Sequence, residues 1–495
     1  MFETIKNWIR KVGVTLGLIK EIKRLEDVQH HRPINATEEE YTRMELNKKI
    51  YQGYVDEWHK LEYRPPGATV PATREILRMG MGKVLANEMA SLIFNEKCYI
   101  TIDDEKTNEF IESVFQDNDF YYNFQRYLEY AYALGGMIMK LYVEGDKVKI
   151  GWAKADSFVP LGNNAERVEE VLFTYKRKQN DKYYTLLEWH ELIDGEMTIT
   201  NEVYVSDKEG ALGTKTSLAS WDPDLEAQSK LEGIKPLFTY VRSAEANNIN
   251  LDSPLGISIY ENVHDQLKFL DRMFDFWFNE FELGRRRIAV SKEMVQWHTD
   301  PHTGHEYMAF DPDESVYVVL DADDMKEPKD MAVELRTDDI IGSINSLLNV
   351  IAMKTGFSAG TFSFDGKSMK TATEVVSENS KTYRTKNSNE NIVESALIDL
   401  VESILDLAEA EGIFTAPDEY QVSVSFDDSI AQDRDSNFKH YSAAAGMGLM
   451  PELIAIQRIF DVPEETAKEW LEMIDERRQK KSPINANMAD FIGME

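Results

Sequence analysis

Gly356-Phe357-Ser358-Ala359-Gly360 has the G-x-S-x-G spacing of a hydrolase nucleophile elbow. That chemistry needs a strand, a sharp turn that exposes the serine, and a helix behind it. Here helical periodicity precedes the motif, and Phe362-Ser363-Phe364 follows it at once. The same stretch nearly spells a phosphate-binding loop, with Gly366-Lys367-Ser368 downstream of Gly360. Five residues, Thr361 to Asp365, lie where that motif has four, and no strand comes before it. His298, His302 and His305 have the composition of a metal cluster. They fall on a predicted hairpin, however, where tetrahedral ligation would need a particular fold-back and no cysteine helps. Asp321-Ala322-Asp323-Asp324 resembles a nucleotide-sugar DxD motif but opens an acidic loop. The bland reading prevails each time: turn histidines, a solvated acidic loop, a chance spacing. No catalytic residue, metal ligand or cofactor site is assigned. The alternative kept open is a nucleotide or ester hydrolase using the Gly356–Ser368 loop.

The chain has 495 residues, with 55 Lys+Arg against 88 Asp+Glu and a net charge of −33. That length suits roughly three domains. At 42% hydrophobic and 11% aromatic it can build cores, which excludes global disorder. No run reaches the ~18 uncharged apolar residues of a membrane span. The best candidate, Phe269 to Leu283, carries Asp271, Arg272, Asp275, Glu280 and Glu282. Cys98 is the single cysteine, so an intrachain disulfide is excluded, and a reducing compartment fits. No secretory pattern opens the chain. The acidity argues against tight nucleic-acid binding, since phosphate binders carry positive patches.

Hydrophobic periodicity sets the expected elements. Phe2, Ile5, Ile9, Val12 and Leu16 predict a short amphipathic helix. Helices are expected over Glu38–Leu61, Thr73–Phe94 and Thr107–Leu134, with a strand at Cys98–Ile102. Five strands, Met137–Val143, Lys147–Ala153, Glu170–Lys178, Lys182–His190 and Glu196–Tyr204, predict one antiparallel meander. Ser206–Lys235 reads as an exposed loop and Pro236–Arg242 as a strand. A long helix is expected from Pro254 to Leu283. Tyr260, Val263, Leu267, Leu270, Phe274, Trp277 and Phe281 form its heptad seam. The positions one residue on, Glu261, His264, Lys268, Asp271, Asp275, Phe278 and Glu282, predict a mostly charged, wet face. Strands at Arg287–Ser291, Glu306–Phe310 and Ser315–Leu320 predict a small β module with its tip at Asp300–Gly304. A second helix follows over Thr337–Thr355, then a long one over Thr371–Ala410 whose first half is nearly all polar. A strand at Tyr420–Phe426 and short helices over Ser436–Arg478 complete the expectation: an α+β fold, mainly helical.

This order, with Ser253-Pro254-Leu255-Gly256-Ile257-Ser258-Ile259-Tyr260, Thr371-Ala372-Thr373-Glu374-Val375 and Lys381-Thr382-Tyr383-Arg384, resembles tailed-bacteriophage portal proteins, most of all the branch in siphophages of Gram-positive hosts. The likeness runs over nearly the whole chain. It implies a portal-type protomer in a ring of about twelve subunits, or thirteen in isolation. The ring sits at one capsid vertex, and double-stranded DNA passes through its channel. Terminase, head-completion or adaptor protein, and major capsid and scaffolding proteins are the implied partners, with no membrane and no enzymatic activity. The implied location is the virion, with host cytoplasm during assembly. By the same likeness residues 1–252 form a wing, 253–284 and 337–355 the two stem helices, and 285–336 a clip. Residues 356–370 form a tunnel loop, 371–426 the long wing helix and strand, and 427–495 a helical crown. Implied DNA-facing residues are Gly356, Ser358, Gly360, Phe362, Phe364, Gly366, Lys367 and Lys370. Arg285, Arg286, Arg287, Trp297 and His302 would meet partners at the clip, and the heptad seam would pack the stem.

Overall fold

In this computed structural model the described residues run from 31 to 480, apart from 65–68, 95–97, 163, 165, 232–234, 285–287, 292–295, 300, 310–316, 321–328, 331–333, 364–379, 427–433, 461 and 463. The expected helix at the N-terminus and the Asp321–Asp324 motif therefore lie outside them. The chain divides into two units, Met1–Met369 with Glu378–Phe426, and Lys370–Ser377 with Asp427–Glu495.

The first unit opens with helix α1 (Glu38–Tyr51). Thr37 accepts the Glu40 backbone N–H while the Glu40 carboxylate accepts the Thr37 N–H, a reciprocal cap. The expected continuation to Leu61 fails because Gln52-Gly53 ends the helix. Gly53 N–H donates to Ile50 and Tyr54 N–H to Lys49, a Schellman closure. A short helix α2 (Asp56–His59) follows, and then a hairpin of β1 (Lys60–Tyr63) and β2 (Ala72–Glu75). Thr73, the expected start of the next helix, is thus in a strand. Helix α3 (Met81–Ile93) and strand β3 (Tyr99–Ile102) come next. The single helix expected over Thr107–Leu134 is two, α4 (Glu105–Asp117) and α5 (Phe120–Leu134). Asn118 interrupts them: its side chain donates to Val114 and Val148 carbonyls and accepts the Ile150 N–H.

The expected strands form, but in two sheets rather than one meander. β4 (Gly136–Glu144) and β5 (Lys147–Lys154) pair with each other, and β6 (Phe158–Pro160), β7 (Val171–Gln179), β8 (Lys182–Ile193) and β9 (Glu196–Ser206) run on in the second sheet. Ser206–Lys235 is not merely a loop. It holds β10 (Thr214–Thr216) and β11 (Gln228–Leu231), and both pair with β9. β12 (Phe238–Arg242) returns beside β4. The sheets are tied where Lys140 of β4 pairs with Glu188 of β8, whose carboxylate also bonds the buried His190 ring at 2.5 Å. Burial pushes the Glu188 carboxyl up, but the His190 bond and the Lys140 charge outweigh it and hold it at about 2, against 4.5 ordinarily.

Residues 254–260 are not helical, which corrects the expected start at Pro254. They form a buried strap across the end of α5. Gly256 N–H donates to the Tyr240 hydroxyl at 2.8 Å, Ile259 N–H to the Tyr132 carbonyl, and the Asn247 amide to the Leu255 carbonyl. With its backbone groups satisfied by tertiary partners, the strap has no need of helical bonds. A Cβ at Gly135 would meet the Gly256 carbonyl oxygen at 2.5 Å, and Gly135 itself has φ +104°. After a 3-10 turn at Glu261–Val263, helix α6 (His264–Leu283) runs for 20 residues, about 30 Å rather than the expected 45.

The face of α6 expected to be wet is partly buried. Asp271 accepts the Met79 N–H at 2.8 Å and bonds His59 Nε2 at 3.0 Å. Asp275 takes a two-point grip from Arg74, at 2.9 and 2.6 Å, and accepts the Leu77 N–H at 3.1 Å. His59 Nδ1 accepts the Val55 N–H, so its Nε2 carries the proton toward Asp271.

Beyond α6 lie β13 (Ile288–Ser291), β14 (Gln296–Thr299), β15 (Glu306–Ala309), β16 (Tyr317–Leu320) and β17 (Lys329–Asp330). The hairpin around the expected tip is formed by β15 and β14, a strand that was not expected, while β13 pairs β16 in parallel. Helix α7 (Thr337–Lys354) follows as expected, then α8 (Ser380–Ala410), whose expected start at Thr371 lies outside the described residues. Val393, Leu397, Leu400, Val401 and Ile404 of α8 join the same core as Leu85, Phe124 and Ile138. Its polar half is also drawn inward: Lys386 and Asn389 are buried, with Lys386 paired to Glu390 at 2.8 Å. Strand β18 (Val422–Ser425) pairs β3. The second unit comprises α9 (Arg434–Gly446), α10 (Glu452–Phe460) and α11 (Glu464–Lys480), with Phe460 edge-on to Trp470 at 5.5 Å.

Truncating Asp271 to Ala leaves two donors facing a void and is expected to cost about 2–4 kcal/mol in chemical denaturation. Acid is expected to weaken the fold through Glu188. Its folded-state affinity for protons is depressed, so its contribution is complete above pH 4.5 and is lost as pH falls from there toward about 2. Glu188→Gln is expected to flatten that limb of a melting-temperature profile against pH.

Candidate functional site

The residues singled out by spacing fall in three places: helix α6, the β14–β15 hairpin, and the joint between α7 and α8. On α6 the heptad seam divides. Leu267 and Leu270 are buried in the core of the protomer itself, together with Tyr260 of the strap and Val263 of the 3-10 turn. All four are buried within this chain, and Tyr260 and Val263 precede the helix on which they were expected. Phe274 and Trp277 are half-buried and stand tilted at 6.0 Å, while Phe281 is 45% exposed. Phe269, Phe276 and Phe278 are also exposed, so the outer half of α6 shows aromatic surface to its surroundings. Arg336, just before α7, closes the far end by gripping Glu280 at 2.8 and 3.1 Å. The inner side of α7 is buried through Ile340, Ile344, Leu348 and Ile351.

At the hairpin, Trp297 is 68% exposed and His302 lies exposed in the turn. Arg285, Arg286 and Arg287 lie outside the described residues. Among the described residues no group of three or more His, Cys, Asp or Glu is placed to hold a metal ion.

The glycine- and serine-rich stretch is described up to Ser363; Phe364, Gly366, Lys367 and Lys370 lie beyond that. Ser358 is 2% exposed, which contradicts both an exposed nucleophile and a DNA-facing side chain. Its N–H donates to Thr382 Oγ1 at 2.8 Å, the Thr382 N–H donates back to Ser358 Oγ at 3.2 Å, and the two hydroxyls lie 3.0 Å apart. A general base would have to stand where Thr382 stands. In this arrangement Ser358 caps an N–H in the first turn of α8, a service a local residue usually gives, worth about 1 kcal/mol. Gly356 is buried as well: a Cβ there would meet the Thr385 methyl at 2.6 Å. Gly360 is exposed, and its N–H donates to Asn349 Oδ1 at 2.8 Å. Phe362 is half-buried, edge-on to the fully buried Phe357 at 5.0 Å. Lys381 donates to the Met353 carbonyl. Burial raises the nearby Glu245 carboxyl to about 7, with the Lys381 charge opposing.

The phosphate-loop reading fails on structure too, since helix α7 precedes Gly360 and no strand does. What remains is a protomer with a helical pair, a β module between its members, and a serine joint. Residues 30–480 match the family described as phage portal protein, SPP1 Gp6-like. The chain belongs to this family of portal proteins. A search of curated proteins gave no match. The portal family is structural and non-enzymatic, a component of the phage virion at the capsid vertex. No helix among the described residues is long and apolar enough to cross a membrane.

Spacing missed Thr382, Thr385, Asn349, Asp271 and Asp275, whose partners are remote in sequence. Thr382 sits in the quoted Lys381–Arg384 motif, yet nothing local points from it to Ser358. Trp297→Ala and His302→Ala touch no core and are expected to leave stability within about 0.5 kcal/mol in urea denaturation.

Proposed function

We propose that this portal protein assembles into a homo-oligomeric ring around an axial channel through which double-stranded DNA is packaged and later ejected. Family membership over residues 30–480 is the observation that carries the reading. Two features of the chain support it. A conductor of DNA needs no reaction centre, and the one serine with hydrolase spacing is buried against Thr382. Helix α6 exposes Phe269 and, in its outer half, Phe276, Phe278 and Phe281, apolar surface that neighbouring copies in a ring would cover. Helices α6 and α7 serve as stem, residues 285–336 as the clip that meets terminase and then the head-completion protein, and residues 427–495 as crown. The host branch is proposed as that of Gram-positive siphophages.

DNA contact falls to Lys367 and Lys370, with Gly356 and Ser358 as buried anchors. A formal charge of −33 per chain suits this work. Each phosphate neutralised strengthens binding, so a basic wall would hold DNA, whereas an acidic one lets it pass.

Negative-stain microscopy of the purified chain is expected to show rings with a central channel; monomers at every salt and protein concentration would count against assembly. Replacing Lys367 and Lys370 with Ala is expected to leave rings intact and lower the amount of nuclease-protected DNA in capsids. Release of phosphate from ATP, or ester cleavage, abolished by Ser358→Ala would restore the hydrolase reading.

A further inference from the structure

We propose that strand β12 is a docking edge, to which an extended, acidic segment of a partner protein adds as a further strand. β12 is the outermost strand of its sheet, whose order is β12-β4-β5. The Leu141 N–H donates to the Leu237 carbonyl at 2.8 Å, and Phe238 stands opposite Lys140. Antiparallel bonding alternates along a strand, so Thr239 and Val241 turn their backbone groups toward β4. Phe238, Tyr240 and Arg242 turn theirs outward, where no described residue bonds them.

A cleft of about 480 Å³ lies along this edge, walled by helix α8 and by residues 166–169. Its lining takes Phe238, Tyr240 and Arg242 from one face of β12 and Thr239 from the other, so it wraps the rim of the strand. Helix α8 follows β12 from end to end. Asn389 Oδ1 accepts the Ala244 N–H at 3.0 Å, and Glu402 pairs with Lys235. Phe238 and Thr239 are buried, and the Thr239 hydroxyl has no hydrogen-bond partner among the described residues. Buried polar groups left open are costly, and a row of them along an edge is a template for a strand. Main-chain bonds supply affinity in such an addition, and side chains supply selectivity.

The charges select an acidic segment. Arg167 and Arg242 line the cleft, and neither forms an ion pair among the described residues. The third cation of the lining, Lys235, is engaged by Glu402. Asp399 is the carboxylate that α8 contributes, and burial raises its carboxyl while the Arg167 and Lys235 charges oppose. A guanidinium without a carboxylate, beside open main-chain groups, suits a strand that brings its own Asp or Glu. A second copy of this chain fits less well. Its described strands already lie in sheets, and a strand with sheet neighbours does not enter a cleft between a helix and a loop. A lone segment does, over the five residues of β12, about 17 Å.

The test uses the full chain and the acetylated peptide Val-Asp-Val-Asp-Val-Asp-Val, read by fluorescence anisotropy and by hydrogen exchange resolved to single residues. The peptide is expected to slow exchange at Phe238, Tyr240 and Arg242 by about tenfold, and at Thr239 and Val241, already bonded to β4, by less. Lysine in place of its aspartates is expected to abolish binding. Of two peptides N-methylated at alternate residues, one is expected to bind and the other to fail, because only one set of N–H groups faces β12. Arg167→Glu with Arg242→Glu is expected to weaken binding about tenfold at an unchanged melting temperature. No binding, equal binding of the aspartate and lysine peptides, or equal behaviour of the two methylated peptides overturns the proposal; the last needs no variant to fold. Slow exchange at Phe238, Tyr240 and Arg242 without peptide also overturns it. In monomers that result means the chain fills its own cleft, and in rings alone it means a second copy does.

Discussion

Two carboxylates on one face of a helix fix the architecture. Asp271 and Asp275 stand four residues apart, one turn of α6, and both are buried. Between them they bind the Arg74 guanidinium, the backbone N–H groups of Leu77 and Met79, and the His59 ring. A buried carboxylate without partners is costly, so this set has one low-energy arrangement and the helix cannot rotate or slide out of it. The consequence is geometric. The first turns of α6 are locked to the β1–β2 hairpin and the start of α3, and the rest must project with its aromatic residues uncovered.

The same economy governs the strap before α6. Residues 254–260 run against the end of α5 because Gly135 and Gly256 let the two backbones meet where any side chain would collide. Tyr132, Tyr240 and Asn247 then supply the hydrogen bonds that a helix would have supplied internally. Helix α8 completes this core by laying an apolar stripe against α3, β4 and β12. The first unit is thus built on one core, which Leu267 and Leu270 of α6 and Ile344 and Leu348 of α7 join.

The hydrolase spacing around Ser358 meets a physical obstacle. A nucleophile must be exposed and must face a base, whereas this hydroxyl faces another hydroxyl inside the joint of α7 and α8. A motif of catalytic spacing here joins two helices through a pair of hydroxyl groups.

Much was legible in the sequence. Alternation and turn residues placed β4, β5, β7, β8 and β9 nearly to the residue, and periodicity placed α7, α8 and the helices of the second unit. The order of elements and a few motifs pointed to portal proteins, and the missing strand before Gly356 weakened both hydrolase motifs without removing them. Those features are local, set by patterns within a dozen residues. Tertiary structure decided the rest. It split the expected meander into two sheets and turned the Ser253–Tyr260 motif from helix into strap. It also drew Asp271, Asp275, Lys386 and Asn389 out of water. Each of these depends on a partner far along the chain, as Thr382 is for Ser358, and a backbone or charge satisfied from afar leaves no mark in its own neighbourhood.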